Sequence, residues 1–294
     1  MILLADSGST KTTWVLLSDD KKTIEAATQG FNPYFQTSRI IEDAVRNELS
    51  KEILFFAREK NLVVYYYGAG CSSEDKVKTV KTALQNVFVN ANISVHHDLL
   101  ASARALCGNN PGIACILGTG SNSCYYDGKE VKENIPSVGY FFGDYGSGGH
   151  IGKKLIQAYF DDKIPADLKA KFAAMPDFDR EYILENIYQK PMPNRFLASY
   201  GKIAAEFIQH PFIRTMIKKC FTDFLLYQVE KYSPHKLLPI NFVGSVAYSN
   251  KDLLLEVIAE RGLKPGIILR SPMSGLIEFH SGNGSRATTT YDKQ

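Results

Sequence analysis

The segment ILLADSGSTKTTWVLL, residues 2–17, contains the pattern that decides the fold. Ile2 to Ala5 is a continuous apolar run, which is typical of a strand buried on both faces. The polar loop Asp6 to Lys11 follows it, and a second strand is predicted from Thr13 to Leu17. A third strand is predicted around Thr23 to Ala27. The chain therefore begins with three short strands, and the first loop between them is rich in small polar residues.

The same pattern starts again near residue 113. Ile113 to Leu117 is another strand of the buried type, and the loop Gly118-Thr119-Gly120-Ser121-Asn122 follows it. Two further strands are predicted at Ser123 to Tyr126 and around Glu130 to Glu133. Strand, polar loop, strand, turn and strand therefore occur twice. The repetition predicts two α/β halves of like topology, stacked over a central cleft with their polar loops facing each other.

The repeat also predicts the domain boundaries. We expect an N-terminal domain of residues 1–108. The C-terminal domain would comprise residues 109–271, with a helical insertion at 150–232. Backbone N–H groups in a glycine-containing turn bind anions, so the two loops suit a ligand with a chain of phosphates. Neither loop matches the P-loop pattern GxxxxGK[ST].

Composition excludes several classes of protein. The 34 Lys and Arg residues nearly balance the 31 Asp and Glu residues, and this weak net charge does not favour a nucleic-acid partner or a membrane surface. No apolar run is long enough for a membrane span. The first six residues lack the basic region of a signal peptide. The five cysteines form no CxxC pair. We expect a cytoplasmic protein with reduced thiols.

Five motifs, taken in order, resemble one superfamily. DSGSTKTTWVLL at 6–17 and ILGTGSNS at 116–123 resemble the two phosphate loops of the actin, heat-shock chaperone and sugar-kinase superfamily, and NFVGSVAYSN at 241–250 resembles its adenosine loop. HHDLLASARA at 96–105 and GDYGSGGHIGK at 143–153 resemble the N-acetylglucosamine kinase branch of the BadF/BadG/BcrA/BcrD ATPase family. The resemblance implies two ribonuclease H-like domains, each with a βββαβα core, and ATP-dependent phosphorylation of a hexose hydroxyl. It also implies that a C-terminal helix at about 272–281 joins the N-terminal domain.

The resemblance also implies roles for individual residues. Asp98 would be the general base that takes the proton of the sugar hydroxyl. Asp6 would hold Mg²⁺ through its water shell. The sugar would be bound by Asn32, Asp98, Thr119 and Asp144. The residues implied for ATP are Asp6, Gly8, Ser9, Thr10, Lys11, Gly118, Thr119, Gly120, Ser121, Gly244 and Ser245.

Alternative functions stay open at this point. The other branch of the family contains ATPase activators of 2-hydroxyacyl-CoA dehydratases, which hold an iron–sulfur cluster through cysteines. In this sequence Cys107, Cys115 and Cys124 are spread along the chain, which does not favour such a cluster. A non-catalytic sugar or nucleotide sensor is the second alternative. Neither the oligomeric state, where a homodimer is one option, nor the phosphorylated hydroxyl follows from the sequence.

The identity of the sugar is also open. N-acetylglucosamine is the first expectation, and glucosamine, N-acetylmannosamine and N-acetylmuramate are the others. Members of the family can carry Trp where this chain has Val138, and they commonly have Glu where it has Tyr145. Both differences fall next to the segment that is expected to bind the sugar.

Overall fold

The computed structural model describes residues 1–8, 11–19, 22–59 and 61–282. The described residues divide into two compact units. Unit 1 is Met1–Asn110 together with the segment that begins at Pro272, and unit 2 is Pro111–Ser271. Each unit is built on one five-stranded sheet.

The two sheets have the same topology. The strands of unit 1 are β1 (Ile2–Ser7), β2 (Lys11–Leu17), β3 (Thr23–Gln29), β4 (Val63–Gly68) and β5 (Asn92–His97), in the order β3-β2-β1-β4-β5. Those of unit 2 are β6 (Gly112–Leu117), β7 (Ser121–Tyr126), β8 (Val131–Asn134), β9 (Pro239–Val243) and β10 (Lys264–Leu269), in the order β10-β9-β6-β7-β8. In each sheet the first three strands are antiparallel and the last two join the first strand in parallel. The predicted duplication of a βββαβα core is confirmed.

The helices connect and cover these strands. After β3, unit 1 has α1 (Ser38–Glu48), α2 (Lys51–Phe55), α3 (Glu74–Val87) and α4 (Asp98–Cys107). Unit 2 has α5 (Gly139–Phe142), α6 (Gly148–Phe160), α7 (Ala166–Ala173), α8 (Arg180–Tyr188), α9 (Pro193–Glu206), α10 (Pro211–Tyr227), α11 (Ser245–Ser249) and α12 (Lys251–Glu260), and α13 (Met273–His280) belongs to unit 1. Short 3₁₀ turns occur at Phe56–Arg58, Pro176–Phe178 and Val229–Lys231. Within the described ranges, no helix is long and apolar enough to cross a membrane.

The sheet of unit 1 is buried on both faces. Successive strand residues point to opposite faces, so Tyr66 packs with α1 and α3 while Tyr67 packs with α4 and α13. Trp14 lies fully buried on the α3 side, and its indole nitrogen Nε1 donates to Thr28 Oγ1 at 3.0 Å. Burial on both faces fixes the strand positions, and with them the places where the strands end.

Close packing of α6 against α9 organises the helical part of unit 2. A Cβ atom at Gly152 would lie 1.9 Å from the Leu197 carbonyl oxygen, and one at Gly201 would lie 2.5 Å from the Gly148 carbonyl oxygen. Only glycine allows the two backbones to approach this closely. The glycines of the GSGGHIG segment therefore fix where the amino-terminal end of α6 lies.

Candidate functional site

The carboxyl ends of β1 and β5 bring two carboxylates to one edge of the unit 1 sheet. Asp6 is the penultimate residue of β1 and pairs in register with Tyr67 of β4, and Asp98 follows directly after β5. Strands β1, β4 and β5 run parallel, so their carboxyl ends share an edge, as at other α/β ligand sites. Burial, and then the charge of Asp98, raise the pKa of Asp6 to about 7. The two side chains are therefore close enough to repel each other.

The Asp98 carboxylate has an oxygen that is available to a ligand. Asp98 is the first residue of α4, and its side chain is 32% exposed. Its Oδ1 atom, however, is buried and has no hydrogen-bond partner among the described residues. Buried polar atoms without a partner are rare, and at functional sites they often await a ligand. This oxygen can accept a hydrogen from a bound molecule.

The neighbouring His97 supports α4 and lies against this oxygen. The His97 ring caps the helix, since Nδ1 accepts from the Leu99 backbone N–H at 3.1 Å. The same nitrogen lies 2.8 Å from Asp98 Oδ1, and while the ring is neutral and accepts from Leu99 this nitrogen has no proton to donate to the carboxylate. Protonation would turn the contact into an ion pair, and Asp98 accordingly raises the pKa of His97. The sequence places Asp98 where strand gives way to helix, and the structure adds that the cap is His97.

The first polar loop is described only in part. Gly8 N donates to Lys11 O at 3.0 Å, and Lys11 is exposed at the start of β2. Ser9 and Thr10 lie outside the described residues. Ser7 Oγ shares a 2.7 Å hydrogen bond with Thr12 Oγ1 and accepts from Phe31 N at 3.2 Å. These contacts connect the base of the first loop to the segment that contains Asn32.

Asn32 lies in a turn that follows β3. Its Oδ1 atom accepts from Tyr34 N at 3.0 Å, and its backbone N–H donates to Gln36 Oε1 at 2.7 Å. The side chain also lies against Gly70 in the loop after β4, where a Cβ atom would come within 2.6 Å of Oδ1. Asn32 is therefore a turn residue, as asparagine before proline often is. Among the described residues its side-chain nitrogen donates to no acceptor, so this donor is available to a ligand.

In unit 2 the second polar loop packs on the amino-terminal end of α6. Gly118 N donates to Gly120 O at 3.0 Å, and this closes the turn between β6 and β7. Gly148 N donates to Gly118 O at 2.8 Å and Gly149 N to Thr119 O at 3.1 Å. The Thr119 side chain is exposed, and Ser121 is the first residue of β7. Helix α6 therefore fixes the shape of this loop.

The turn after β9 lies beside the same loop. Gly244 has φ of 125° and ψ of 159°, a conformation that is essentially restricted to glycine. A Cβ atom there would lie 2.3 Å from Leu117 O. Ser245 is exposed and begins α11. The residues expected at the adenosine and those of the second polar loop are thus neighbours within unit 2.

Asp144 lies beside the second polar loop as well. A Cβ atom at Gly120 would be 2.8 Å from Asp144 Oδ2, so glycine at 120 lets this carboxylate approach. Asp144 has φ of 51°, the left-handed region that non-glycine residues rarely adopt, and such backbone strain clusters at functional sites. Its neighbour Tyr145 packs on the ring of Tyr227, with centroids 5.0 Å apart.

Comparison with solved structures identifies the family. No family model matches the chain, and no curated protein matches it. The structure of a proposed N-acetylglucosamine kinase from Porphyromonas gingivalis is 40% identical over 96% of this chain and 99% of that one, with a TM-score of 0.89. The chain belongs to the N-acetylglucosamine kinase family. This confirms the resemblance that the five motifs indicate.

More distant members of the fold agree in architecture. A proposed N-acetylglucosamine kinase from Chromobacterium violaceum is 16% identical, with a TM-score of 0.68 and coverage of 95% of this chain and 98% of that one. A proposed sugar kinase from Cytophaga hutchinsonii is 15% identical, with a TM-score of 0.53 and coverage of 96% and 98%. At these identities the likeness concerns the fold. The N-acetylglucosamine kinase family thus shares its actin-like ATPase fold with more distant sugar kinases.

The residues present are compatible with the Mg²⁺ that the resemblance implies. Among the described residues, no three His, Cys, Asp or Glu side chains are grouped for a metal. Mg²⁺ does not need such a group, because it usually keeps several waters and binds one or two carboxylates plus substrate phosphates. Burial and the charge of Asp98 raise the cost of ionising Asp6, and a cation near Asp6 would offset that cost. The expected assignment of Asp6 as the metal residue is compatible with this geometry.

Sequence reasoning did not predict three contacts that the candidate residues make within their own units. Ser137 donates to Asp144, His97 contacts Asp98, and Gly70 lies against Asn32. The sequence contains a weak signal for Gly70, which belongs to the Gly68-Ala69-Gly70 loop at the end of β4. Nothing in the sequence around Ser137 indicates its contact, because Asp144 lies seven positions further along the chain, beyond a turn.

Proposed function

We propose that this protein is an ATP-dependent kinase that phosphorylates a hydroxyl of N-acetylglucosamine or a closely related amino sugar. The observation that carries the proposal is the buried Oδ1 atom of Asp98, which accepts no hydrogen bond from the described residues while His97 is neutral, and whose carboxylate lies near a second one, Asp6. A general base needs an oxygen that can accept the proton of the attacking hydroxyl. Family membership, through a relative that is 40% identical, supports the same reaction.

The reaction requires little covalent chemistry from the protein. The sugar hydroxyl oxygen forms a bond to the γ-phosphorus of ATP, its proton passes to the Asp98 carboxylate, and the bond from the γ-phosphorus to the β,γ-bridging oxygen breaks to release ADP. Such a transfer depends on positioning and on charge stabilisation. Asp98 acts at the start of α4, where the rigid end of β5 and the His97 cap fix its backbone.

The phosphates of ATP carry most of the charge that must be stabilised. Gly8, Ser9, Thr10 and Lys11 of unit 1 and Gly118, Thr119, Gly120 and Ser121 of unit 2 are the proposed ligands. Backbone N–H groups in such turns bind phosphate oxygens, and Lys11 adds a positive charge. Gly244 and Ser245 are proposed to flank the adenosine. Mg²⁺, held near Asp6 through water, would neutralise charge on the β- and γ-phosphates.

The amino-sugar preference rests on Asn32 and Asp144. The side-chain nitrogen of Asn32 can donate to a hydroxyl or an acetyl oxygen, and Asp144 Oδ2 can accept from a hydroxyl or an amide N–H. Thr119 offers an exposed hydroxyl on the neighbouring loop. At the two positions where the chain departs from the family, Val138 is 66% exposed and Tyr145 packs on Tyr227. The finer choice among amino sugars depends on these substitutions.

We further propose that the protein acts in the cytoplasm. All five cysteines are buried thiols, and burial raises the pKa of Cys107 and of Cys220 to about 12. Neutral buried thiols suit packing in a reducing compartment better than ligation of iron. This supports the kinase over the iron–sulfur activator.

The proposal is tested by measuring sugar-dependent ADP release with ATP and Mg²⁺. The panel is glucose, glucosamine, N-acetylglucosamine, N-acetylmannosamine and N-acetylmuramate, with a reaction without sugar as the control. A site that hydrogen-bonds an amide should give kcat/KM for the best amino sugar at least about 100-fold above that for glucose, because unpaired buried polar groups are costly. Equal turnover of glucose would contradict the amino-sugar assignment alone. Turnover of none of these sugars would contradict the kinase assignment.

A further inference from the structure

Ser137 lies at the centre of a small hydrogen-bond network beside Asp144. Its Oγ atom donates to Asp144 Oδ1 at 2.5 Å and accepts from Gly139 N and Asp144 N, both at 3.1 Å. A serine hydroxyl has one hydrogen to donate and two lone pairs. All three are used here, and all three contacts lie within residues 137–144.

These contacts close the turn from Val138 to Gly143, which we call the aromatic turn. It contains Tyr140, Phe141 and Phe142, and the last two rings are 67% and 73% exposed. Gly143 N donates to Gly139 O at 2.7 Å, and a Cβ atom at Gly143 would meet Ser137 Oγ at 2.9 Å. The turn is compact because Ser137 fills its centre.

The other side of the aromatic turn is held by α6. Lys153 Nζ donates to Phe141 O at 3.1 Å and to Tyr140 O at 3.4 Å. The rings of Phe141 and Phe142 are exposed and do not pack in an apolar core. Hydrogen bonds to the backbone therefore hold this turn in place. Loss of the Ser137 contacts would free the base of the turn while Lys153 still held its tip.

The same contacts determine how the Asp144 carboxylate is presented. Asp144 has the left-handed φ of 51°, a conformation that persists only when surrounding contacts hold it. Ser137 bonds both the backbone N–H and the Oδ1 atom of Asp144, and Oδ2 faces the Gly118–Gly120 loop beside Gly120. One oxygen is therefore occupied by Ser137, and the other is directed to the loop.

We propose that Ser137 is a positioning residue for the sugar: it fixes Asp144 so that Oδ2 alone remains for a sugar hydroxyl or amide. This rests on the proposed function, because it takes Asp144 as a sugar ligand. Ser137 itself touches Asp144 and the aromatic turn, and it acts on the sugar through Asp144. Its removal should weaken sugar binding and leave ATP binding and the fold intact.

The test compares Ser137→Ala, Ser137→Thr and Ser199→Ala. Ser199 is an exposed serine of α9 whose hydroxyl makes one bond to a backbone carbonyl, so it controls for the loss of a serine hydroxyl in the same unit. Misplacement of a ligand-binding group commonly costs about tenfold or more. We expect Ser137→Ala to raise KM for N-acetylglucosamine at least about tenfold and KM for ATP less than about twofold. Ser137→Thr keeps the hydroxyl and should stay within about threefold of the wild type.

Hydrogen exchange supplies a second measurement that does not need turnover. The Gly139 and Asp144 amides lose their acceptor in Ser137→Ala, so a peptide spanning 137–144 should exchange faster in that variant and at the wild-type rate in Ser137→Thr. An unchanged exchange rate, or faster exchange with an unchanged KM for the sugar, would overturn the positioning role. If the wild type turns over no sugar, the proposed function fails separately, and the sugar Kd from calorimetry replaces KM. Absence of sugar binding by the wild type would overturn both.

Discussion

Replacement of Asp98 by asparagine removes the proposed general base and leaves the structure around it nearly unchanged. Asparagine has nearly the same shape, but its amide cannot take a proton from the attacking hydroxyl. Removal of a general base costs roughly 10²–10⁴-fold in kcat, which corresponds to about 3–5 kcal/mol of transition-state stabilisation. The side chain is only one-third exposed and Oδ1 is buried, so water has little room to replace the missing base.

The effect of Asp98→Asn on stability is expected to be small. Asp98 is in the first turn of α4, where a negative charge stabilises the helix by about 0.3–1 kcal/mol. Its charge also raises the pKa of Asp6, so its removal relieves a repulsion that opposes this loss. Asp75 occupies the first turn of α3 in the same unit and is exposed. Asp75→Asn is therefore a matched control that loses a helix-terminal charge outside the site.

The assay measures kcat and KM for N-acetylglucosamine, sugar binding by calorimetry, and the urea midpoint for the wild type and both variants. We expect Asp98→Asn to lose at least 100-fold in kcat while it still binds the sugar, and Asp75→Asn to keep the wild-type kcat. The two variants should differ little in urea midpoint. Asp98→Asn with more than about a tenth of the wild-type kcat would refute the assignment of Asp98 as the base.

Two further predictions concern stability. Gly244→Ala should lower the free energy of unfolding by about 2–4 kcal/mol, since the new Cβ atom meets Leu117 O in a backbone conformation that alanine avoids. Gly262 is the control, because it has φ of 64° but open space around a new Cβ atom, and Gly262→Ala should lower the free energy of unfolding by about 1 kcal/mol. Equal urea midpoints for the two variants would show that the contact with Leu117 O does not destabilise Gly244→Ala. Burial, followed by the charges of Lys154 and Lys153, lowers the pKa of His150 to about 4, so the unfolded chain binds more protons between about pH 6.5 and 4. Stability should therefore fall as the pH falls through that window, by about 2 kcal/mol at pH 5 for this group, and the loss should shrink in His150→Gln. An equal pH dependence of both proteins in urea titrations would show that His150 does not contribute.

The repeated strand pattern could be predicted from the sequence because it depends on local residues. Strands β1 and β6 are short apolar runs with polar loops directly after them, and burial on both faces produces such runs. Strand β10 was not predicted. Its sequence begins Lys264-Pro265-Gly266, and proline and glycine argue against a strand. The structure accommodates them because β10 is an edge strand with an irregular register after Pro265.

The candidate site could be predicted in part. Asp6 and Asp98 are recognisable because each follows a buried strand, and parallel strands bring their ends to one edge. The role of Ser137 could not be predicted, since it depends on the left-handed conformation of Asp144 and on a turn closed by two glycines. The role of Asn32 could not be predicted without the structure either. Its Oδ1 atom accepts a hydrogen bond within a turn, and among the described residues its side-chain nitrogen has no acceptor. Such three-dimensional contacts leave no periodic pattern in a sequence.

The central claim is that the γ-phosphoryl group of ATP passes to a sugar hydroxyl, and its fate can be followed directly. Phosphorus NMR of the protein with ATP, Mg²⁺ and N-acetylglucosamine should show a sugar monophosphate that grows in step with ADP, with almost no inorganic phosphate. The same mixture with Asp98→Asn should form the sugar phosphate at least about 100-fold more slowly. Appearance of ADP with inorganic phosphate and no sugar phosphate would show hydrolysis in place of transfer, and would contradict the assignment of this chain as a sugar kinase.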